Sequence, residues 1–196
     1  MCLIWQLDFR KRFLSNTGEE NILRAKAVVF EGPEDYHNRL NDPELNIDEK
    51  TILFIRGVGC VGYPGSAEVV NMQPPDKLLK KGITHLPTVG DGRQSGTSES
   101  PSILNASPES VVGGGLAYLK TGDPVILDLN KGTLNADVDE KEWSNRIKRW
   151  KEPKIENQTP WQEIYRTNVG QLADGGCLEL ATAYKRIAKD LPRDNH

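Results

Sequence analysis

Residues 90–115 read GDGRQSGTSESPSILNASPESVVGGG, and this stretch organises the rest of the chain. It follows a short apolar run that is typical of a buried strand. Within nine positions it carries a carboxylate, a guanidinium and three hydroxyl groups, on Asp91, Arg93, Ser95, Thr97 and Ser98. Its glycines let a ligand approach the backbone, and Arg93 can bind a carboxylate or phosphate bidentately. The stretch is therefore either a ligand-binding site or a surface turn rich in serine and glycine.

Short β-branched runs surround this stretch and predict the sheet. KAVVFEG at residues 26–32 and TILFIRG at residues 51–57 both end in glycine. A further strand is predicted at residues 125–129, followed by a hairpin turn at Lys131 and Gly132 and a return strand. Such strands are too many for a helical bundle and too unevenly spaced for a regular sandwich. We expect the α/β class, with a mixed-sheet, β-barrel-like domain flanked by helices and a helical C-terminal tail.

Helical patterns occur between the strands and dominate the tail. EDYHNRL and DKLLKKG predict short helices, the second with Leu78 and Leu79 facing inward. Thr159 can cap a tail helix that begins with Pro160. The apolar stripe of this tail helix consists of Trp161, Ile164, Tyr165, Val169 and Leu172.

A second glycine-rich stretch, RGVGCVGYPGSAEVVNM at residues 56–72, also follows a predicted strand. If Ser66 caps a helix, Glu68 lies in its first turn, where the helix dipole favours a carboxylate. Otherwise the loop is shaped around a ligand. Cys60, in the same loop, is predicted to be a small buried thiol.

Composition excludes several classes of partner. The chain of 196 residues has a formal net charge of -3, so neither nucleic acid nor an anionic membrane is an expected partner. Its first apolar run is short and precedes a basic cluster, the reverse of a secretory signal. Three cysteines suit a reducing compartment, and we expect a cytoplasmic protein. The predicted division is an unassigned arm at residues 1–24, a barrel domain at 25–140 and a helical tail at 141–196, which packs on the barrel or on a partner subunit.

From residue 25 to residue 196 the chain resembles the C-terminal domain of the dihydroxy-acid and sugar-acid dehydratases, which are iron–sulfur hydro-lyases acting on 2,3-dihydroxy acids. The motifs that carry the resemblance are AVVFEGPEDYH, GYPGSAEVVNMQPP, DGRQSGTS, SILNASPES, TPWQEIYR and GGCLE. DGRQSGTS is closest to the branch that acts on aldonates such as arabinonate and xylonate. The ending PRDNH departs from the histidine-richer ending that is typical of the family.

The resemblance implies roles for five residues. Ser95 corresponds to the serine alkoxide that acts as the base, with Arg93 and Thr97 as its catalytic neighbours. Glu68 corresponds to a ligand of Mg²⁺. Arg93, Ser95, Thr97 and His196 are expected to bind the substrate. The complete enzyme would use Mg²⁺ and a 2Fe–2S cluster, whose ligands are expected in an N-terminal domain and not in this chain.

The resemblance therefore predicts part of a hydro-lyase that dehydrates 2,3-dihydroxy sugar acids to 2-keto-3-deoxy acids. Its expected partners are a small sugar acid, the missing N-terminal dehydratase domain or a homologous subunit, and a second copy in a homo-oligomer. The alternative is a non-catalytic remnant, or a dimerising or binding module that keeps the fold. We also expect Glu68 and Ser95 to converge at one end of the barrel, and Trp161, Tyr165 and Tyr63 to line an exposed apolar patch.

Overall fold

The fold is described from a computed structural model. It describes residues 21–65, 68–94 and 100–182, together with the backbone of residues 2–5. Within these residues nine strands form two sheets. The strands are β1 (Cys2–Trp5), β2 (Ile22–Phe30), β3 (Thr51–Ile55), β4 (Glu68–Val70), β5 (Thr88–Gly90), β6 (Arg93–Gln94), β7 (Ser102–Ser107), β8 (Pro124–Asp128) and β9 (Thr133–Ala136).

The main sheet is mixed and has the strand order β1-β7-β5-β3-β2-β8-β9. Its four central strands, β7, β5, β3 and β2, run parallel to one another. β1 pairs antiparallel with β7 at one edge, and the hairpin of β8 and β9 extends the other edge antiparallel to β2. β4 and β6 form a separate, parallel two-stranded sheet.

Both faces of the central strands are buried, which explains their nearly continuous apolar sequences. Along β2, Ala27 and Val29 join one hydrophobic core, whereas Val28 and Phe30 join the core on the opposite face. β3 is buried at every position. The sheet is therefore a central layer between two cores, and its carboxyl-terminal edge is the place where loops can carry polar groups.

Five α-helices accompany the sheets in the described part of the chain. They are α1 (Pro33–Arg39), α2 (Asp76–Leu79), α3 (Glu140–Arg149), α4 (Pro160–Asn168) and α5 (Glu179–Thr182). Short 3₁₀ turns occur at Pro43–Leu45, Ser110–Val112, Gly115–Tyr118 and Leu172–Asp174. No helix among the described residues combines the length and the apolar character that a membrane span requires.

The helical tail contacts the sheet domain through α3. The guanidinium of Arg146 forms a bidentate ion pair with Asp123. Arg146 Nη1 lies 2.5 Å from Asp123 Oδ2 and Arg146 Nη2 lies 3.0 Å from Asp123 Oδ1, and both side chains are nearly buried. This hydrogen bonding raises the pKa of Arg146 above its ordinary value. The Tyr118 and Trp143 rings meet edge to face 5.8 Å apart. α3 is thus fixed against the turn that precedes β8.

The predicted mixed α/β architecture is confirmed, as are the strands within residues 26–32 and 51–57, the hairpin and the Thr159 cap. The inward position predicted for Leu79 is wrong. Leu78 is buried, but Leu79 is 37% exposed, because α2 is only one turn long and presents one narrow face to the core.

Candidate active site

Three parallel strands end at one edge of the main sheet, and each is followed by a segment rich in glycine or polar residues. β3 leads into the glycine-rich loop, residues 56–65; β5 leads into Asp91; and β7 leads into Glu109. Parallel order places these carboxyl-terminal ends side by side, which is where open α/β sheets bind their ligands. The sheet therefore brings together residues that are more than 30 positions apart in sequence.

Asp91 organises the start of the glycine-rich loop. Its carboxylate is fully buried and accepts hydrogen bonds from the backbone N–H groups of Gly57 and Val58, both at 3.0 Å. It also accepts from the backbone N–H of Ser110 at 2.8 Å and from the Ser110 hydroxyl at 2.6 Å. A buried carboxylate is stable when donors surround it in this way. Asp91 thus connects the ends of β3, β5 and β7.

Glu109 holds the middle of the same loop. Its carboxylate accepts from the backbone N–H groups of Val61 at 3.0 Å and Gly62 at 2.9 Å, and from the side-chain amide of Gln171 at 2.8 Å. A Cβ atom on Gly59 would come within 2.4 Å of Glu109 Oε2. Glycine is therefore required at position 59, because the carboxylate occupies the space that a side chain would need.

Helix α4 closes over the outer side of the loop. Arg166 donates from Nε to the carbonyl oxygen of Val61 at 2.9 Å. Removal of this guanidinium from water lowers the pKa of Arg166. The glycine-rich loop is consequently held by carboxylates from the sheet on one side and by a helix of the tail on the other.

Glu68 and Arg93 meet in the two-stranded sheet. They are directly opposite in the parallel pairing of β4 with β6, and Arg93 Nη2 lies 2.9 Å from Glu68 Oε1. Both side chains are about half exposed, at 45% for Glu68 and 53% for Arg93. The helix-cap interpretation of Glu68 is wrong, because Glu68 begins a strand that pairs with β6. The Glu68 carboxylate therefore does not cap a helix. It lies beside the Arg93 guanidinium at the surface.

The remaining predicted site residues, Ser95, Thr97 and His196, lie outside the described residues. The convergence of Glu68 and Ser95 therefore stays a prediction. Of the predicted set, the structure brings together Glu68 and Arg93, and Arg93 precedes Ser95 by two positions in the sequence.

The chain matches, over residues 14–177, the family described as the C-terminal domain of dihydroxy-acid/6-phosphogluconate dehydratases. It belongs to this family. Among its relatives, D-xylonate dehydratase of Caulobacter vibrioides is 59% identical over 189 residues, which are 96% of this chain and 32% of the relative.

More distant relatives carry related names. L-arabinonate dehydratase of Rhizobium leguminosarum bv. trifolii is 43% identical over 127 residues, covering 65% of this chain and 22% of the relative. The mitochondrial dihydroxy-acid dehydratase of Schizosaccharomyces pombe is 34% identical over 165 residues, covering 83% of this chain and 27% of the relative. This dehydratase-family chain thus spans about a third or less of the length of these relatives.

The described residues of this dehydratase-family chain include a suitable ligand for Mg²⁺ but not a ligand set for an iron–sulfur cluster. Glu68 offers a hard carboxylate oxygen at the surface, which suits one ligand position of Mg²⁺. Cys60 is buried and Cys177 is exposed, and no group of three or more His, Cys, Asp or Glu side chains within the described ranges is arranged to hold a metal ion. These residues therefore fit a single Mg²⁺ ligand but do not fit an iron–sulfur cluster.

Sequence reasoning missed the parts played by Glu109 and Gln171. The sequence carried only a weak signal for their roles. Glu109 follows a predicted strand, and the density of glycine in the loop indicates that another group packs closely against its backbone. Glu109 and Gln171 also exchange a second contact, since the backbone N–H of Glu109 donates to the Gln171 side-chain oxygen at 2.8 Å. The pair is separated by 62 positions, so no local pattern could reveal it.

Proposed function

We propose that this chain is the C-terminal part of a hydro-lyase that dehydrates 2,3-dihydroxy sugar acids to 2-keto-3-deoxy acids. One observation carries the proposal: Arg93, which begins the motif RQSGTS, lies against Glu68 at a surface edge next to the glycine-rich loop. Two motifs that are 25 positions apart thus supply a carboxylate and a guanidinium to one place. The name of the relative with 59% identity favours a pentonate such as D-xylonate as the substrate.

The reaction removes the proton from C2 and a hydroxyl group from C3, and the resulting enol becomes the 2-keto acid. In the proposed site Ser95 accepts the C2 proton, which requires that its hydroxyl be activated by neighbouring donors and positive charge. Arg93 is a donor to the substrate carboxylate or to the oxyanion that develops beside it. Thr97 and His196 are assigned to hydrogen bonds with the substrate hydroxyl groups.

Glu68 is assigned to Mg²⁺, and its contact with Arg93 places a positive charge beside this ligand. When bound, Mg²⁺ supplies a Lewis acid that holds the substrate carboxylate and offsets the charge of the enolate. The departure of the C3 hydroxyl group is proposed to be assisted by a 2Fe–2S cluster. That cluster is proposed to be bound by the N-terminal part that the relatives have and that this chain does not span. The active form is proposed to include that part and to be a homo-oligomer.

The test is the formation of 2-keto acids from a panel of aldonates, measured with and without an added N-terminal domain of a pentonate dehydratase. We expect product only from the combination, and its loss by at least about 100-fold in Ser95→Ala and Glu68→Gln. Glu44→Gln is the matched control, because Glu44 is an exposed glutamate in a 3₁₀ turn and has no assigned role in the site. Product from the combination that persists in both site variants would refute the assigned roles.

A non-catalytic dimerising module is the second candidate. The observation that favours it is the exposure of Trp161, which is 77% accessible on α4. Large exposed aromatic residues commonly mark contacts with other proteins. Self-association together with no turnover of any aldonate, in the presence of the N-terminal domain, would support this candidate over the enzyme.

A further inference from the structure

The peptide groups of Val61 and Gly62, in the middle of the glycine-rich loop, are bonded on two sides by oppositely charged side chains. Their backbone N–H groups donate to the carboxylate of Glu109, at 3.0 Å for Val61 and 2.9 Å for Gly62. Their carbonyl oxygens accept from Arg166 on α4, with Nε 2.9 Å from the Val61 oxygen and Nη2 3.4 Å from the Gly62 oxygen. Both polar groups of two consecutive loop residues are therefore bonded to protein side chains.

Glu109 is itself attached to the helical tail through Gln171. The side-chain amide of Gln171 donates to Glu109 Oε1, and the backbone N–H of Glu109 donates to Gln171 Oε1, both at 2.8 Å. Arg166 lies at the end of α4, and Gln171 lies just after that helix. One short stretch of the tail therefore supports the loop from both sides, through Arg166 directly and through Glu109 by way of Gln171.

The tail also covers Cys60, the loop residue that precedes Val61. The Cys60 side chain is buried, with 2% exposure. A Cβ atom on Gly176 would lie 3.9 Å from Cys60 Sγ, which is an ordinary van der Waals contact, so the tail backbone packs directly against this thiol. Cys177, the next residue of the tail, is exposed. The accessibility of Cys60 therefore reports whether the tail is in place against the loop.

The contacts of Arg166 are poorly explained by stability alone. Burial lowers the pKa of Arg166, because the charged guanidinium loses part of its hydration. Its hydrogen bonds within the described residues go to neutral oxygens, those of Val61, Gly62, Glu156 and Asn157. Such bonds repay the lost hydration less well than a carboxylate partner would. The guanidinium is better explained by its planar set of donors, which can bond neighbouring loop carbonyls at once.

We propose that Arg166 is a positioning residue for the glycine-rich loop. Together with Glu109 it sets the course of this loop, which ends three positions before Glu68. Arg166 acts through the loop and does not touch the substrate. The proposal deepens the proposed function, because it adds a residue of the helical tail to the support of the site. It rests on that function only for the effect on turnover, since the accessibility of the loop can be measured without substrate.

The test is alkylation of the cysteines in the 196-residue chain, resolved by peptide with mass spectrometry. Arg166→Met keeps much of the length of the side chain and removes its donors. We expect Cys60 in this variant to react with iodoacetamide about tenfold faster than in the wild type, while the exposed Cys177 reacts at an unchanged rate. Gln171→Met removes the attachment of Glu109 to the tail and should have the same effect, which keeps the proposal falsifiable if Arg166→Met does not fold.

Arg146→Met is the matched control. Arg146 is also a tail arginine with several hydrogen bonds, and its partners are Tyr118, Asp123 and Glu142. The substitution should lower the thermal midpoint but leave Cys60 labelling of the folded protein near the wild-type rate. In the combination with an added N-terminal domain, Arg166→Met should lower kcat about tenfold with little change in KM, and Arg146→Met should leave both near the wild-type values.

Wild-type labelling of Cys60 in both Arg166→Met and Gln171→Met would overturn the proposal, whether or not the combination turns over an aldonate. Equal acceleration in Arg146→Met would also overturn it, because the effect would then be one of global stability. Faster labelling with an unchanged kcat would reduce Arg166 to a structural residue and so reject the positioning role. A wild-type combination without turnover counts against the proposed function alone, and the labelling rates still decide whether Arg166 holds the loop.

Discussion

Arg93 donates a hydrogen bond of 2.9 Å to the carboxylate of Glu68 across two short parallel strands. Each side chain is about half exposed, and exposed ion pairs contribute little to the free energy of unfolding. The contact is therefore poorly explained by stability alone. The roles proposed for Glu68 and Arg93 in the active site would account for it.

Glu68→Gln and Arg93→Lys should each change the free energy of unfolding by about 1 kcal/mol or less, because solvent screens the pair. Urea titration checks this expectation. In the combination with an added N-terminal domain, Glu68→Gln should weaken Mg²⁺ binding measured by calorimetry, whereas Glu44→Gln should not. A large loss of stability in either site variant would show that the pair is structural.

Asp91→Asn should destabilise the protein by about 3 kcal/mol, because the amide cannot accept all four hydrogen bonds that the carboxylate accepts and turns an N–H₂ group toward other donors. Chemical denaturation measures the change. Asp137→Asn, at an exposed position after β9, is the control and should be nearly neutral. A neutral Asp91→Asn would mean that the ends of β3, β5 and β7 do not depend on this carboxylate.

Stability should fall in acid partly through Asp35. Hydrogen bonds from Arg39, at 2.5 Å, lower the pKa of Asp35 below its ordinary value of 3.8. Since the folded-state pKa is lowered, the contribution of Asp35 is present above pH 3.8 and is lost as the pH falls through the folded-state value.

The measurement is the free energy of unfolding of wild type and Asp35→Asn at about pH 7 and about pH 3. The difference between the two proteins should shrink at the lower pH. Asn38→Ala, a change of an exposed residue on the same helix that does not ionise, should show no such dependence. A difference that stays constant with pH would rule out the ion pair as its cause.

Trp161→Asp should weaken self-association. The stripe of α4 is buried at its end, where Val169 is 8% exposed, but open at its start, where Trp161 is 77% and Ile164 is 47% exposed. We expect wild type to sediment as a dimer or larger species at tens of micromolar and the variant to shift toward monomer. Ile147→Asp, a change of a 45% exposed residue on α3, is the matched control. A wild-type monomer that binds no hydrophobic dye would contradict the predicted patch.

Part of the fold could be predicted because it depends on local patterns. The apolar runs of β2 and β3 mark strands buried on both faces, and Thr159 with Pro160 marks the start of α4. The motifs in the glycine-rich loop and around Arg93 likewise identify the dehydratase family. Each of these signals lies within a few neighbouring residues, so no knowledge of distant partners is needed.

The interpretation of the segment around Glu68 as a helix start failed for the opposite reason. Proline, glycine and serine before a glutamate are a good local signal for a helix start, but pairing with β6, 25 positions away, makes this segment a strand. A three-residue element has little intrinsic preference, and tertiary pairing decides its conformation.

The sequence by itself determined the family, the central strands and the residue types available for chemistry. Only the tertiary structure decided that Asp91 and Glu109 hold the glycine-rich loop and that Arg93 lies against Glu68. The physical reason is the parallel strand order. It brings the ends of β3, β5 and β7 to one edge, and the hydrogen-bond partners that meet there are far apart in the chain and leave no local pattern.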